Sequence, residues 1–259
     1  MLNDLRLAAR GLAKAPGFAL TAIVTLALGI GANTLIFSVV YGVLLRPLPF
    51  QAPDRSVSVK ATRQNDGVDL PGGTSIRAMD EWRDTSKTLD HLAVHRSADY
   101  TITGHGDAER AEACLVSEGF FATLGTAAVA GRVLDAREGD ATAAVLSYEL
   151  WQRQFGGSAA VGRTVRLDGR PYTIVGVMPR GFAFPSPATA LWIPRLSVPD
   201  EAAFPGVRKY DMVARLQPSA SLEAARAEAA VISARLASSD SRFSKGVRAS
   251  VERLEDTLV

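Results

Sequence analysis

The sequence predicts an α+β fold: one membrane-crossing helix, then an external core in which a mixed α/β subdomain carries a β-rich insertion. Three observations predict it. Residues 18–45 run for 28 positions without a charged side chain, just after Arg6, Arg10 and Lys14. Beyond residue 46, short stretches of period-2 apolar alternation mix with capped amphipathic stretches, the signals of strands and helices. Finally, residues 56–96 and 210–253 each read strand–helix–strand, whereas the middle reads mostly as strands, so both ends build one subdomain around an insert.

The charge distribution supports this division. The chain has 29 Lys and Arg against 27 Asp and Glu; three of the bases and one acid, Asp4, fall in residues 1–17, so the remainder balances at 26 against 26. A neutral core without Lys/Arg clusters interleaved with aromatics excludes a nucleic-acid groove. The single cysteine, Cys114, excludes an internal disulfide and reads as a small buried hydrophobe in a strand.

Residues 1–17 read as a cytoplasmic interfacial helix. Leu2, Leu5, Ala9 and Leu12 share one face of a helix over 2–14, and Arg6, Arg10 and Lys14 form a basic stripe suited to anionic headgroups. Pro16-Gly17 is expected to break that helix before the span begins. At ~1.5 Å per residue the uncharged run reaches roughly 42 Å, more than the ~30 Å of a bilayer core. The bases before it place the N-terminus in the cytoplasm and residues 46–259 outside, in the periplasm of a bacterium with two membranes. A signal peptide cleaved near Gly31-Ala32 is the rival reading, but the apolar run resumes through Leu35, Ile36 and Phe37 to Leu45. Within the span, Ala27, Gly31, Thr34, Ser38 and Gly42 share one face, and Gly29 and Asn33 lie on another. Small residues permit close helix approach in lipid and Asn bonds across such a contact, so this helix is expected to pack against other membrane helices.

In the external part, Val57 and Val59 mark a first strand. Ser75 caps a helix to about Ser86 with Ile76, Met79 and Trp82 on one face. Residues 92–103 read as extended. Ser117 is expected to start a short helix with Phe120, Phe121 and Leu124, ended by Gly125. A strand over 143–146 precedes a helix capped by Ser147 and stopped by Gly156-Gly157. Asp168-Gly169 between two alternating runs predicts a hairpin. Residues 179–206 show no period. Tyr210, Met212, Ala214 and Leu216 alternate as a strand, Ser221 caps a helix to about Ala237, and Val247, Ala249 and Val251 form the last strand. The subdomain is therefore drawn over 50–96 and 208–255, with the insert over 97–207.

No residue pattern supports catalysis. His91 and His95 are four apart in an extended segment without a Cys pair or HExxH, and His105 lies in a Gly-flanked turn, so no metal is expected. There is no phosphate-cradling Gly-rich loop and no Gly-x-Ser-x-Gly elbow. An exported hydrolase is thus disfavoured, no cofactor is expected, and any ATPase is expected on another chain.

Two motif series resemble a known family. The first is Asp4-Leu5-Arg6, Lys14-Ala15-Pro16-Gly17-Phe18, Leu28-Gly29-Ile30-Gly31-Ala32-Asn33-Thr34 and Arg46-Pro47-Leu48-Pro49. The second includes Ser117-Glu118-Gly119-Phe120-Phe121, Gly131-Arg132, Leu146-Ser147-Tyr148, Phe155-Gly156-Gly157, Val175-Gly176-Val177-Met178-Pro179 and Gly181-Phe182. Together they resemble the N-terminal part of MacB-like/FtsX-like ABC transporter permeases, nearest to the orphan branch of duplicated permeases without a fused ATPase. The resemblance implies an inner-membrane protein with a periplasmic porter part and a β-rich insert. It also implies a permease dimer, an ABC ATPase subunit as partner, and periplasmic partners or export substrates. Three further membrane helices follow the core in such permeases, so the chain is expected to be an N-terminal fragment of one. Its role would be to couple ATPase-driven motion to export or partner contact. The alternative is a single-pass anchored binding module that docks a partner without transport.

Overall fold

A computed structural model describes residues 16–40, 53–65, 68–104, 107–135, 141–195, 210–239 and 247–257. The backbone forms two compact units, one containing the N-terminal helix and one running from residue 48 onward.

The first unit holds helix α1, Pro16–Val40, 25 residues long, which gives it a length of ~37 Å. Pro16 is its first residue, a position where the missing N–H costs no hydrogen bond. Pro16-Gly17 forms the first turn of this helix; the break expected there concerns the residues before it, outside the described ones. The preceding interfacial helix and the end of the run, 41–45, lie outside the described residues. Large apolar side chains are exposed on all sides of α1, with Phe18 at 72%, Leu28 at 68% and Leu35 at 66%. A helix of this length and composition is able to cross a membrane. The hydroxyls of Thr21, Thr25 and Thr34 donate to the carbonyls of Gly17, Thr21 and Ile30, at 2.9, 2.8 and 2.7 Å. They therefore need no water, as an apolar surrounding demands.

In the second unit the strands are β1 (Ser56–Asn65), β2 (Val68–Gly72), β3 (Leu89–Thr103), β4 (Glu109–Val116), β5 (Ala130–Gly131) and β6 (Ala143–Leu146). They continue as β7 (Thr164–Leu167), β8 (Arg170–Val177), β9 (Thr189–Pro194), β10 (Asp211–Leu216) and β11 (Val247–Arg253). The helices are α2 (Ile76–Thr85), α3 (Phe120–Leu124), α4 (Tyr148–Phe155) and α5 (Leu222–Ser239). Among the described residues the strands join one sheet in the order β11-β1-β10-β3-β4-β9-β6-β8-β5, with β2 on β1 and β7 bridging β3 and β8.

One end of the sheet is an interleaved pair of units. The unit β1-α2-β3 and the unit β10-α5-β11 mesh so that β10 lies between β1 and β3, all antiparallel. This is the split-βαβ solution, in which each crossover leaves a gap that the other unit fills. Val57, Val59, Met212, Ala214, Val94 and Val251 point to one face and meet Ile76, Met79 and Trp82 of α2 and Ala225, Ala229 and Ile232 of α5. The caps are those the sequence implies: Ser75 Oγ accepts from the Ala78 N–H at 3.1 Å, and Ser221 Oγ from the Ala224 N–H at 3.1 Å.

The insertion leaves and returns through β3 and β10. Its sheet has a core on each side. Ile102, Leu115, Leu146, Ile174 and Leu191 pack with Leu150 and Phe155 of α4 on one side. Phe120, Phe121, Phe182, Phe184 and Trp192 gather on the other, where Val213, Ala93 and Leu254 of the split-βαβ half join them. Ser147 caps α4 through the Leu150 N–H at 3.1 Å. The hairpin between β7 and β8 turns at Asp168 (φ 46°) and Gly169 (φ 81°), the two positive values a type I′ turn needs. Gly131 and Gly176 pair where β5 meets β8; a Cβ on Gly176 would stand 2.1 Å from the Arg132 carbonyl oxygen, so only glycine permits that approach.

Two sequence expectations need correction. Ser117 does not start α3, whose N-cap is Gly119 at φ 78°; the Ser117 hydroxyl accepts instead from the Val94 N–H at 2.9 Å and ties β4 to β3. Residues 179–206 are not wholly irregular, because they contain β9, every residue of which is buried. A strand covered on both faces loses the alternation that announces a half-buried one.

Candidate functional site

The residues singled out in the sequence for membrane packing sit on α1. The unbroken helix brings Ala27, Gly31 and Thr34 to one face and Gly29 and Asn33 to another, all exposed. A Cβ on Gly29 or Gly31 would meet nothing within 4 Å, so neither glycine is required by contacts within the helix. Ser38 lies in the same helix; its side chain, like Gly42, Arg6, Arg10 and Lys14, falls outside the described residues.

A second candidate site, not anticipated in the sequence, lies in the core. Alternation that turns Val57, Val59 and Ala61 toward the helices turns Ser58, Lys60 and Thr62 to the other face of β1. Among the described residues no α-helix covers this part of that face, and a short 3-10 turn, Glu255–Thr257, borders it through Thr257. This part of the face is the floor of a cleft of about 450 Å³, walled by Phe184 and Pro185 of the insertion and by Leu254 after β11.

Three side chains give the cleft its chemistry. His95 is 6% exposed and lines it; its ring meets Phe184 edge-on at 5.0 Å and Phe120 at 5.8 Å, and its Nδ1 has no hydrogen-bond partner among the described residues. Burial lowers its pKa to about 4, so the imidazole is neutral near pH 7. Asp211 stands opposite His95 in the β10–β3 ladder. Desolvation raises the pKa of its carboxyl, only partly opposed by the charge of Lys60. Lys60 is itself held by Glu252 of β11, with Nζ 2.7 Å from the carboxylate. The sequence signal for this row was the polar half of each alternating strand, which reads equally well as a solvent face.

His95 has a second place in the architecture. It pairs with Asp211 on one side and with Val116 of β4 on the other, where the split-βαβ half hands β3 over to the insertion. His91, four residues earlier, is exposed, has φ 48° and marks a bulge in β3 against β10. The bulge and extended backbone keep the two imidazoles from forming the helical zinc pair that their spacing allows. Among the described residues no group of three or more His, Cys, Asp or Glu is placed to hold a metal ion. Cys114 is fully buried in β4, and burial raises its thiol pKa well above the usual value.

The architecture defines a class: an α+β module with a β-rich insertion, following an apolar helix long enough to cross a bilayer. Residues 19–232 match the model of the MacB-like periplasmic core domain. The chain belongs to that family, the periplasmic part of MacB/FtsX-like ABC permeases. Solved structures share the fold. The periplasmic region of MacB from Actinobacillus actinomycetemcomitans aligns with a TM-score of 0.59 at 16% identity, over 79% of this chain and 90% of that one. A domain of a putative permease from Porphyromonas gingivalis gives 0.62 at 18% identity, over 80% and 92%. The extracellular domain of the noncanonic ABC-type transporter YknZ from Gram-positive bacteria gives 0.56 at 11%, over 75% and 98%. No curated protein matches the chain.

Proposed function

We propose that this chain couples ATPase-driven motion at the inner membrane to export or partner contact in the periplasm, acting by displacement rather than by chemistry. On this reading α1 crosses the membrane with its N-terminus in the cytoplasm, and its small-residue faces receive further permease helices. A separate ABC ATPase supplies the energy, and the permease works as a dimer. The observation that carries the reading is β3. Its 15 residues, some 50 Å of extended chain, bond to β10 in the helix-backed half and to β4 and β7 in the insertion. A strand shared by both halves transmits a push along its length with little bending. The strand nearest α1 in sequence, β1, is bonded on both sides by β10 and β11, so a displacement reaching it spreads across the sheet.

The test is extraction of the chain from its native membrane in mild detergent. A complex with a phosphate-loop ATPase and vanadate-sensitive ATP hydrolysis is expected. Spin labels at Arg110→Cys in the insertion and Glu223→Cys on α5 are expected to move together relative to the lipid when ATP is added. Full recovery of the chain without an ATPase, or labels indifferent to ATP in the assembled complex, refutes coupling.

A further inference from the structure

The cleft on this sheet face has the makings of a ligand site, and its lining selects by charge. At about 450 Å³ it is within the usual range of small-molecule pockets, ~300–1,000 Å³. Two of its walls are apolar, from the Phe184-Pro185 segment and from Leu254 and Val213. The Asp211 carboxylate lines it without a hydrogen bond from any described residue, and the nearest cation, Lys60, is bound to Glu252 instead. Asp211 is exposed to the cleft and its carboxylate has no ion-pair partner among the described residues, so a cation entering the cleft meets an uncompensated negative charge.

The facing residue agrees in sign. His95 is buried, lines the same cleft, sits across the ladder from Asp211 and leaves Nδ1 unpartnered among the described residues. A neutral imidazole does not repel an ammonium group, whereas an imidazolium would. Phe184, 2% exposed, and half-buried Pro185 make the same wall apolar. An anionic ligand would meet Asp211 directly, with the one lysine already paired, and a purely apolar ligand would leave the carboxylate desolvated and unmatched.

We propose that this cleft binds an organic cation with an apolar body, its ammonium group on Asp211 and its body against Phe184, Pro185 and Leu254. The proposal does not depend on which ATPase drives the domain, nor on transport.

The experiment uses the full chain in lipid nanodiscs, with empty nanodiscs as the background for partitioning. Binding of 1-naphthylmethylammonium is compared with that of neutral 1-naphthylmethanol by saturation-transfer NMR. The cation is expected to bind at least tenfold more tightly than the alcohol. Asp211→Asn is expected to erase that preference and leave the melting temperature unchanged. Equal binding of the two probes, or a preference that survives Asp211→Asn in a folded protein, overturns the proposal. Ser58→Trp provides an independent arm, because it fills the half-buried floor of the cleft while leaving the carboxylate in place. It is expected to abolish binding of both probes, and unchanged binding of the cation to this variant overturns the proposal as well.

Discussion

Glu228 is the most informative single substitution for the stability of the helix-backed half. It lies on α5, yet its carboxylate collects four donors from the turn between α2 and β3. The Ser86 hydroxyl donates at 2.7 Å, the Lys87 N–H at 2.7 Å and the Thr88 N–H at 3.1 Å, and the Thr88 hydroxyl completes the set. Partial burial works to raise the pKa of the carboxyl, and the bonds from Thr88, Ser86 and Lys87 overcome it, so the net shift is downward. An anion near the C-terminal end of α2 opposes the helix dipole by about 0.3–1 kcal/mol. Hydrogen bonds to a charged group contribute ~1.5–3 kcal/mol each when buried, but the Lys87 end of this set is exposed and screened. The balance is roughly 2 kcal/mol in favour of the ionised residue. Glu228→Gln replaces one acceptor oxygen with an amide donor facing other donors, and should lose most of this. For a domain of this size ~1 kcal/mol is worth about 2–4 °C, so the melting temperature should fall by ~4–8 °C at pH 7. The assay is thermal unfolding of the detergent-solubilised chain by circular dichroism. The sign of the pH effect follows from the lowered pKa: the stabilisation is complete above the unfolded value of ~4.3 and is lost as pH falls through the folded one. Wild type and variant curves should therefore converge on acidification. A melting temperature within 1 °C of wild type at pH 7 would refute the reasoning.

Other expectations follow from the same geometry. His95 should contribute to acid sensitivity, because its folded pKa of about 4 lies below the ordinary 6.5. Its stabilisation is complete above pH ~6.5 and declines by on the order of 3 kcal/mol as pH falls toward 4, so His95→Leu should flatten the melting-temperature profile in that window. Gly176→Ala places a Cβ against the Arg132 carbonyl and should cost about 3 kcal/mol by forcing β5 off β8, measured by chemical denaturation. Ser147→Ala removes the cap of α4 and should cost ~1 kcal/mol, about 2–4 °C in thermal unfolding. In spheroplasts, protease should reach an epitope inserted at exposed Asp107 without lysis; protection there would reverse the proposed orientation.

Legibility in the sequence tracked how local each cause was. Ser75, Ser147 and Ser221 each satisfy an N–H three residues ahead, so the caps were visible as written. Asp168-Gly169 needs only its own two positive φ values, and the hairpin was equally plain. The strand–helix–strand pattern at both ends, with α+β class and insertion, was readable because each apolar face is a period in the chain. Family membership rested on short ordered motifs, some of which the structure now explains: Gly131-Arg132 and Val175-Gly176 are the two sides of one close backbone approach.

What the chain determines by itself is its uncharged helix, its caps and turns, and the apolar faces that sort each element toward a core. Tertiary structure decided the rest. β9 hid because burial on both faces erases its alternation, and Ser117 left its expected cap role for a bond to Val94, 23 positions away. The cleft follows the same logic. Lys60, Asp211 and His95 are separated by long stretches of chain and become neighbours only when β10 enters between β1 and β3. Each polar residue is unremarkable on its own strand. Sheet order alone sets a carboxylate beside a neutral imidazole under an aromatic wall, because pairing across strands depends on register, which no local period encodes.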